Sequence, residues 1–254
     1  MYQLTDVRVL RQQRCILDIP QLNLPAGGLT VILGHNGSGK STLLKLLNGQ
    51  LAPDHGQVLL QGKPVSGYPA RQLAQRLAYM PQQIPQPPQL RVRELVELGR
   101  FTWRGWLRRW APDDLAQVER AMRDADIAPL AEHAVAALSG GERQRAWLAM
   151  LLAQGAPCLL LDEPSAALDL AHQYQLLALL RRQSEQHHCT VLAILHELNL
   201  ALRFADRIIA LRQGRVWFDG SPGQLLQHPQ LHQLYSIELD ILPRPGKHAV
   251  AVVA

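Results

Sequence analysis

Residues 34–41 read Gly-His-Asn-Gly-Ser-Gly-Lys-Ser, the full phosphate-binding loop pattern G-x-x-x-x-G-K-[ST]. Immediately upstream lies Leu29-Thr30-Val31-Ile32-Leu33, a short apolar run rich in β-branched residues. Immediately downstream, Thr42-Leu43-Leu44-Lys45-Leu46-Leu47-Asn48 carries a helical pattern that Gly49 stops. The motif therefore sits between a strand and a helix, the context it requires. Its glycines let the backbone wrap tightly, so that several N–H groups converge on phosphate oxygens. The helix start adds its positive dipole end. Gly34, His35, Asn36, Gly37, Ser38, Gly39, Lys40, Ser41 and Thr42 are thus the expected triphosphate cradle. Lys40 reaches the β- and γ-phosphates, and the Ser41 hydroxyl is placed to hold Mg²⁺.

The rest of the chain is compatible with such a domain. Its 254 residues are 47% apolar and 19% charged, enough for one sizeable core. The net charge is +5, and with only four lysines the basic residues are nearly all arginine. Arg100, Arg104, Arg108 and Arg109 cluster with Trp103, Trp106 and Trp110. This patch suits a nucleic acid, an anionic lipid or a protein surface, or else tryptophans packed beneath a solvated helix end. Cys15, Cys158 and Cys189 lie far apart with no C-x-x-C spacing, so neither a zinc site nor a disulfide framework is expected. No signal-peptide run opens the chain. The longest apolar stretch, Ala146 to Ala153, is too short to span a bilayer, so a soluble intracellular protein is expected.

Strand and helix patterns alternate, which predicts a mainly parallel sheet. Between them, Pro81, Pro85, Pro87 and Pro88 break regular structure. Helical spacing then runs through 92–99, 113–127 and 140–154, so residues 85–156 read as a helical insertion. Strands are expected at 158–161 and 190–195, helices near 169–186 and from Glu197, and a hairpin at 207–211 and 215–218 around Gln213-Gly214. Pro243 to Ala254 show little pattern.

Two further motifs carry chemistry. Cys158-Leu-Leu-Leu-Asp-Glu163 is an apolar strand that delivers carboxylates to its C-terminal end, where open α/β sheets bind ligands. Asp162 can hold the Mg²⁺ shell, and Glu163 can take a proton from attacking water. Leu138-Ser-Gly-Gly-Glu-Arg-Gln-Arg145 starts a helix. Ser139 is a good N-cap, and Gly140-Gly141 leave backbone N–H groups uncovered. An ordinary capped helix accounts for Ser139 and Glu142 but not for two successive glycines.

Leu138 to Gln144 resembles the signature sequence of ATP-binding cassette (ABC) proteins. The other family motifs follow in order over roughly residues 1–240. Gln82 in Tyr79-Met80-Pro81-Gln82 resembles the Q-loop. Asp162-Glu163-Pro164 resembles the Walker B motif with its catalytic glutamate. Ser165 to Asp169 resembles the D-loop, and His196 the switch histidine. The resemblance implies a P-loop NTPase, RecA-like α/β core at 1–84 and 157–240. It also implies an N-terminal β subdomain, the helical insertion at 85–156 and a C-terminal tail at 241–254. It implies ATP and Mg²⁺ as ligands, with Glu163, His196 and Gln82 catalytic and Ser41, Gln82 and Asp162 at the metal. Ser139, Gly140, Gly141 and Glu142 would bind ATP held by a second copy of the chain, and Asp169 would couple the two sites. Where the family stacks adenine on an aromatic residue, Arg11 stands instead, with Tyr2 as the nearby alternative.

One cassette per chain does not fit the two-cassette translation factors, and no sustained heptad run supports a repair ATPase. A guanine-nucleotide switch needs Asn-Lys-x-Asp, and none of the lysines follows an Asn. Val92 to Arg100 and His196 to Asp206 are similar to segments of iron-chelate importer ATPases. Ser139 to Trp147 and Leu168 to His172 look closest to the ferric hydroxamate group. The resemblance implies a homodimeric ATPase, peripheral on the cytoplasmic face of the inner membrane. Its implied partners are integral permease subunits and, indirectly, a periplasmic or surface substrate-binding protein, not nucleic acid. Haem and vitamin B12 importers share much of the pattern.

Overall fold

A computed structural model describes residues 1–12, 14–85, 89–104, 110–166, 168–235, 238–242 and 249–253. In chain order the strands and helices begin with β1 (Tyr2–Arg11), β2 (Arg14–Leu24), β3 (Leu29–Leu33), α1 (Lys40–Leu47), β4 (His55–Leu60), β5 (Lys63–Pro64), α2 (Ala70–Ala74) and β6 (Ala78–Met80). The helical stretch follows as α3 (Val92–Leu98), α4 (Phe101–Arg104), α5 (Pro112–Asp124) and α6 (Gly140–Gln154). The chain then alternates through β7 (Cys158–Leu161), α7 (Leu170–His187), β8 (Thr190–Ile194), α8 (Leu198–Phe204), β9 (Arg207–Arg212) and β10 (Arg215–Gly220). It ends with α9 (Pro222–Leu226), α10 (His232–Tyr235), β11 (Leu239–Leu242) and β12 (Val250–Val253). Among the described residues no helix is long and apolar enough to cross a membrane.

The central sheet has the order β10-β9-β3-β8-β7-β6, parallel except for β10. Both of its faces are covered, which is why its strands read as unbroken apolar runs rather than as alternating ones. The alternation is still present, as a division between two cores. Val31, Leu159, Leu161, Val191, Ala193 and Ile208 face a core shared with α3 and α5 to α8. Their neighbours Ile32, Leu160, Leu192, Ile194 and Ile209 face a second core. That second core is closed by α1 and by the antiparallel sheet β2-β1-β4-β5.

The antiparallel sheet is tied to the phosphate loop through the β9–β10 turn. The β9–β10 turn presents Gly214, whose N–H donates to the Ser38 carbonyl at 3.1 Å. The Gly214 carbonyl accepts from Asp18 N–H of β2 at 2.8 Å. Arg215 then grips the Asp18 carboxylate at 2.7 Å. That ion pair holds the Asp18 carboxyl below the usual aspartate range. Gly214 has φ +79°, and a Cβ there would lie 2.5 Å from the Ile16 carbonyl oxygen. The turn can approach β2 this closely only with no side chain.

Within the helical stretch, α6 is bolted down at its C-terminal end. Arg100 pairs with Asp114 at 2.9 Å, both nearly buried, and also donates to the Ala153 carbonyl. Trp103 donates to the Gln154 carbonyl at 2.5 Å, and Gln154 reaches back to the carbonyls of Ala74 and Leu77. Arg100 is therefore an internal tie, Trp103 is a tie at the surface, and Trp110 is partly buried against the core. Residues 105–109, with Trp106, Arg108 and Arg109, lie outside the described residues, as do Pro87 and Pro88.

The C-terminal segment departs from the sequence expectation. β11 and β12 pair antiparallel, Leu239 with Val253 through Leu242 with Val250. Asn199 of α8 fastens the ribbon, donating to the Ala251 carbonyl and accepting from its N–H, both at 2.9 Å. A short strand closed by a partner from a distant helix leaves no periodic pattern to read.

Replacing Gly214 with Ala tests the clamp. The left-handed backbone and the clash with Ile16 should cost about 1–3 kcal/mol. Urea unfolding should show that loss, and ATP affinity should fall with it. An unchanged midpoint and affinity would show that the turn does not brace the loop.

Candidate active site

The loop forms because its backbone turns where α1 begins. Gly39 is the N-cap of α1 with φ 102° and no side-chain cap, so the first N–H groups of the helix stay available to an anion. A Cβ on Gly39 would lie 2.9 Å from Leu17 Cδ1. The left-handed backbone, with the Ile16 carbonyl of β2 3.2 Å from that position, favours glycine here. Lys40 is 5% exposed. Its ammonium donates to the carbonyls of Gly34 at 2.7 Å and His35 at 3.0 Å. Burial lowers the proton affinity of this amine, while Glu163 and Asp162 oppose that effect. Ser38 is buried, and its hydroxyl has no partner among the described residues.

A cavity of about 350 Å³ opens over this loop. Asn36, Gly37, Gly39, Lys40, Ser41 and Thr42 form its floor, and Gln82, Glu163 and His196 its far wall. Gly34, His35 and Ser38 shape the floor from below through the contacts just described. Asp162 stands behind Ser41, whose hydroxyl donates to its Oδ1 at 3.3 Å. Burial pushes the Asp162 carboxyl up, partly offset by the Ser41 hydrogen bond. Hard oxygen donors on a buried carboxylate and an adjacent hydroxyl are the set that suits Mg²⁺.

Glu163 is the point of convergence. Its Oε2 accepts from Gln82 Nε2 at 2.6 Å, and its Oε1 meets His196 Nε2 at 2.6 Å. These three residues come from the ends of β6, β7 and β8, which are neighbours in the sheet. Parallel strands bring their C-terminal ends to one edge, and so three distant residues meet. Glu163 holds φ +53°, an unusual backbone for a residue with a side chain, at the centre of the cavity wall.

The signature residues stand apart. Ser139, Gly141 and Glu142 line a separate cavity of about 320 Å³ with Arg145, Leu168, Asp169 and His172. Ser139 caps α6 by a reciprocal capping box. Glu142 N–H donates to its hydroxyl at 3.3 Å, and the Glu142 carboxylate accepts from Ser139 N–H at 2.9 Å and from its hydroxyl at 2.8 Å. These bonds hold the Glu142 carboxyl below the usual range. A Cβ on Gly140 would meet nothing within 4 Å. The packing of this chain therefore does not require a glycine there. Asp169 caps α7, accepting from His172 N–H at 2.9 Å and facing the His172 ring at 2.8 Å.

The two adenine candidates stand in different settings. Tyr2 is fully buried and donates its hydroxyl to the Leu47 carbonyl at 3.0 Å, so it is a core residue under α1. Arg11 is exposed at the end of β1, where its guanidinium turns back to the Leu10 carbonyl. The residue that does line the phosphate-loop cavity is Ile16. Its signal was present in the sequence. In β2 the buried positions around it are Leu17 and Ile19, so Ile16 is an apolar residue on the face that alternation assigns to solvent.

Burial of Asp162 without a cation opposes ionisation, which yields a stability prediction. A carboxyl whose folded pKa is raised weakens the fold at pH values above it, and the penalty fades as pH falls toward the unfolded value. Asp162→Asn keeps the Ser41 acceptor and removes the charge. The ligand-free variant should melt higher near neutral pH, with a gain that shrinks in acid. A lower melting temperature at neutral pH would contradict this balance.

Comparison with known proteins agrees with the geometry. The profile of the ABC transporter family matches residues 17–166. The achromobactin transport ATP-binding protein CbrD of Dickeya dadantii (strain 3937) is 41% identical over 92% of this chain and 87% of its own length. The iron(3+)-hydroxamate import ATP-binding protein FhuC of Bacillus subtilis (strain 168) is 38% identical over 91% of this chain and 86% of its own. Among solved structures, the ATP-binding cassette MJ0796, a dimer in a post-hydrolysis state with ADP and Pi, superposes with a TM-score of 0.77. It is 28% identical and covers 87% of this chain and 99% of that one. A complete phosphate loop, a carboxylate edge facing it and a detached signature helix are thus explained together: this chain belongs to the ABC transporter family, as an ATPase subunit whose hydrolysis of ATP is coupled to transport.

Proposed function

We propose that the chain powers import of a ferric siderophore, with a ferric hydroxamate as the first substrate to test. Of the relatives quoted above, FhuC supports a ferric chelate through its name, which states iron(3+)-hydroxamate import. On this reading two copies dock on integral permease subunits at the cytoplasmic face of the inner membrane. A substrate-binding protein outside the membrane delivers the chelate.

The observation that carries the mechanism is the separation of the two cavities. The phosphate-loop cavity would hold one ATP from below, and no signature residue is among its lining. Ser139, Gly140, Gly141 and Glu142 would close that side on the ATP of the second copy. The bare Gly140 N–H and the helix dipole of α6 suit a γ-phosphate. Lys40 would exchange its loop carbonyls for phosphate oxygens. Mg²⁺, held through Ser41, Asp162 and Gln82, would neutralise charge developing on the phosphates. Glu163 would accept the proton of the attacking water, and His196 would contact the γ-phosphate. In the arrangement described here both Glu163 oxygens are engaged, by Gln82 and His196. The base is therefore capped until Gln82 and His196 turn to the metal and the nucleotide. Asp169, at the N-terminus of α7, lies in the signature cavity and would couple one site to the other.

Two variants separate binding from chemistry. Glu163→Gln should cost about 10²–10⁴-fold in turnover. It should retain ATP binding and accumulate as an ATP-bound dimer by light scattering. Ser139→Arg should bind nucleotide as a monomer yet hydrolyse it poorly, because the opposing cap is blocked. Normal hydrolysis by either variant would remove that residue from its assigned role.

Substrate class needs the whole transporter. In proteoliposomes with its permease and binding protein, a ferric hydroxamate should stimulate ATP hydrolysis and accumulate inside. Stimulation by haem or a corrinoid in its place would move the assignment to those substrates while leaving the ATPase assignment intact.

A further inference from the structure

The C-terminal ribbon is fastened close in sequence to one of the residues that meet Glu163. β11 and β12 form a two-stranded sheet of their own, outside the central sheet. In an antiparallel ribbon the N–H and C=O of one residue point to the same side. Both groups of Ala251 bond to the Asn199 amide at 2.9 Å, so they point away from β11. Asn199 thus supplies the pair of hydrogen bonds that a third strand would supply along this part of the β12 edge. Ala251 is buried against the core, and Leu239 and Ile241 pack on the same core. The ribbon is therefore seated by its apolar face and latched to α8 by one side-chain amide.

Asn199 lies in the first turn of α8, three residues after His196. Glu197 is the N-cap of that helix, so a single residue separates His196 from it. Upstream, Leu195 N–H donates to the Ile32 carbonyl of β3 at 3.2 Å, which holds the chain at the end of β8. The far end of α8 is held by the body of the protein. The Phe204 carbonyl accepts from Arg181 of α7 at 3.0 Å, and the Phe204 ring meets Tyr174 edge-on. Asp206 then locks to Leu29 in both directions. Its N–H donates to the Leu29 carbonyl at 2.9 Å, and its carboxylate accepts from the Leu29 N–H at 2.8 Å. The near end has no side-chain cap. There the Asn199 amide is the fastening, and what it grips is the ribbon.

We propose that the C-terminal ribbon sets the position of His196, with Asn199 as the positioning residue. A peptide chain cannot stretch, so a shift or rotation of the first turn of α8 is passed to His196 across Glu197. His196 Nε2 lies 2.6 Å from Glu163 Oε1, and a displacement of a fraction of an ångström lengthens that contact. The ribbon thereby reaches the chemistry from a distance, since no ribbon residue is among the described lining of the phosphate-loop cavity. The consequence for turnover rests on the role proposed above for His196. The consequence for the His196–Glu163 contact does not.

The test follows the His196 ring directly, by nitrogen-15 NMR of the histidine-labelled full chain. His196→Ala identifies its resonances, and Glu163→Gln gives their position once the carboxylate charge is lost. Asn199→Leu, of nearly the same size, removes both hydrogen bonds. Ala251→Pro breaks the pair from the ribbon side, where the missing N–H costs β12 no bond to β11. Both variants should keep the wild-type circular dichroism and move the His196 signals in the direction seen in Glu163→Gln. Asn199→Asp keeps the acceptor for the Ala251 N–H and should move them less. ATP turnover should fall by up to about 10²-fold, the scale of a small misplacement at a reacting centre, with KM for ATP unchanged. Unmoved His196 signals in folded Asn199→Leu and Ala251→Pro would overturn the proposal. A raised KM with unchanged kcat would place the effect in nucleotide binding and overturn it as well. Moved signals with normal turnover, in a protein whose His196→Ala variant is also fully active, would uphold the positioning and overturn the catalytic part given to His196.

Discussion

The wrap of the phosphate loop around the Lys40 ammonium is the constraint on which the site depends. A buried amine needs acceptors, and the carbonyls of Gly34 and His35 provide them. The loop is thereby held in a closed ring. Gly39 N-caps α1 beneath it, with β2 pressed against that turn. The β9–β10 turn fixes Ser38 from the side through Gly214. Sheet, loop and antiparallel layer therefore meet at a few backbone hydrogen bonds, so a change in one should be felt in the others. Preorganisation of this kind means that binding a triphosphate need not order the loop first.

The second constraint is the sheet edge. β6, β7 and β8 are parallel neighbours, and each ends near a residue with chemistry: Gln82, Glu163 and His196. Their convergence engages both oxygens of the Glu163 carboxylate. On the role proposed for Glu163, hydrolysis would wait on a change of those partners. The signature helix is anchored at the opposite end from Ser139. Arg100, Trp103 and Gln154 tie the C-terminus of α6 to α2, α4 and α5. A single 15-residue helix thus joins those ties to the signature.

Much of this was legible before any coordinates. The strands at 158–161 and 190–194 announce themselves as apolar runs because both faces of the sheet are covered. The start of α6 is legible because Ser139 and Glu142 form a local capping box, a signal complete within four residues. The phosphate loop is likewise continuous in sequence. What was hidden is nonlocal. The β11–β12 ribbon depends on Asn199, some fifty residues away, and no local pattern marks it. The burial of Tyr2 depends on α1 packing over β1, which the first residues alone do not reveal. The internal role of Arg100 depends on Asp114 and on the end of α6, whereas composition suggested a surface patch. Ile16 left a trace, an apolar residue out of phase with its strand, but its meaning required knowing what β2 passes over.

The most direct measurement is equilibrium binding of a labelled ATP analogue to Lys40→Ala beside the wild-type chain. If the ring closed by Lys40 organises the cradle, the variant should lose nearly all affinity while keeping its secondary structure by circular dichroism. Near-normal affinity in a folded Lys40→Ala chain would contradict the account at its root.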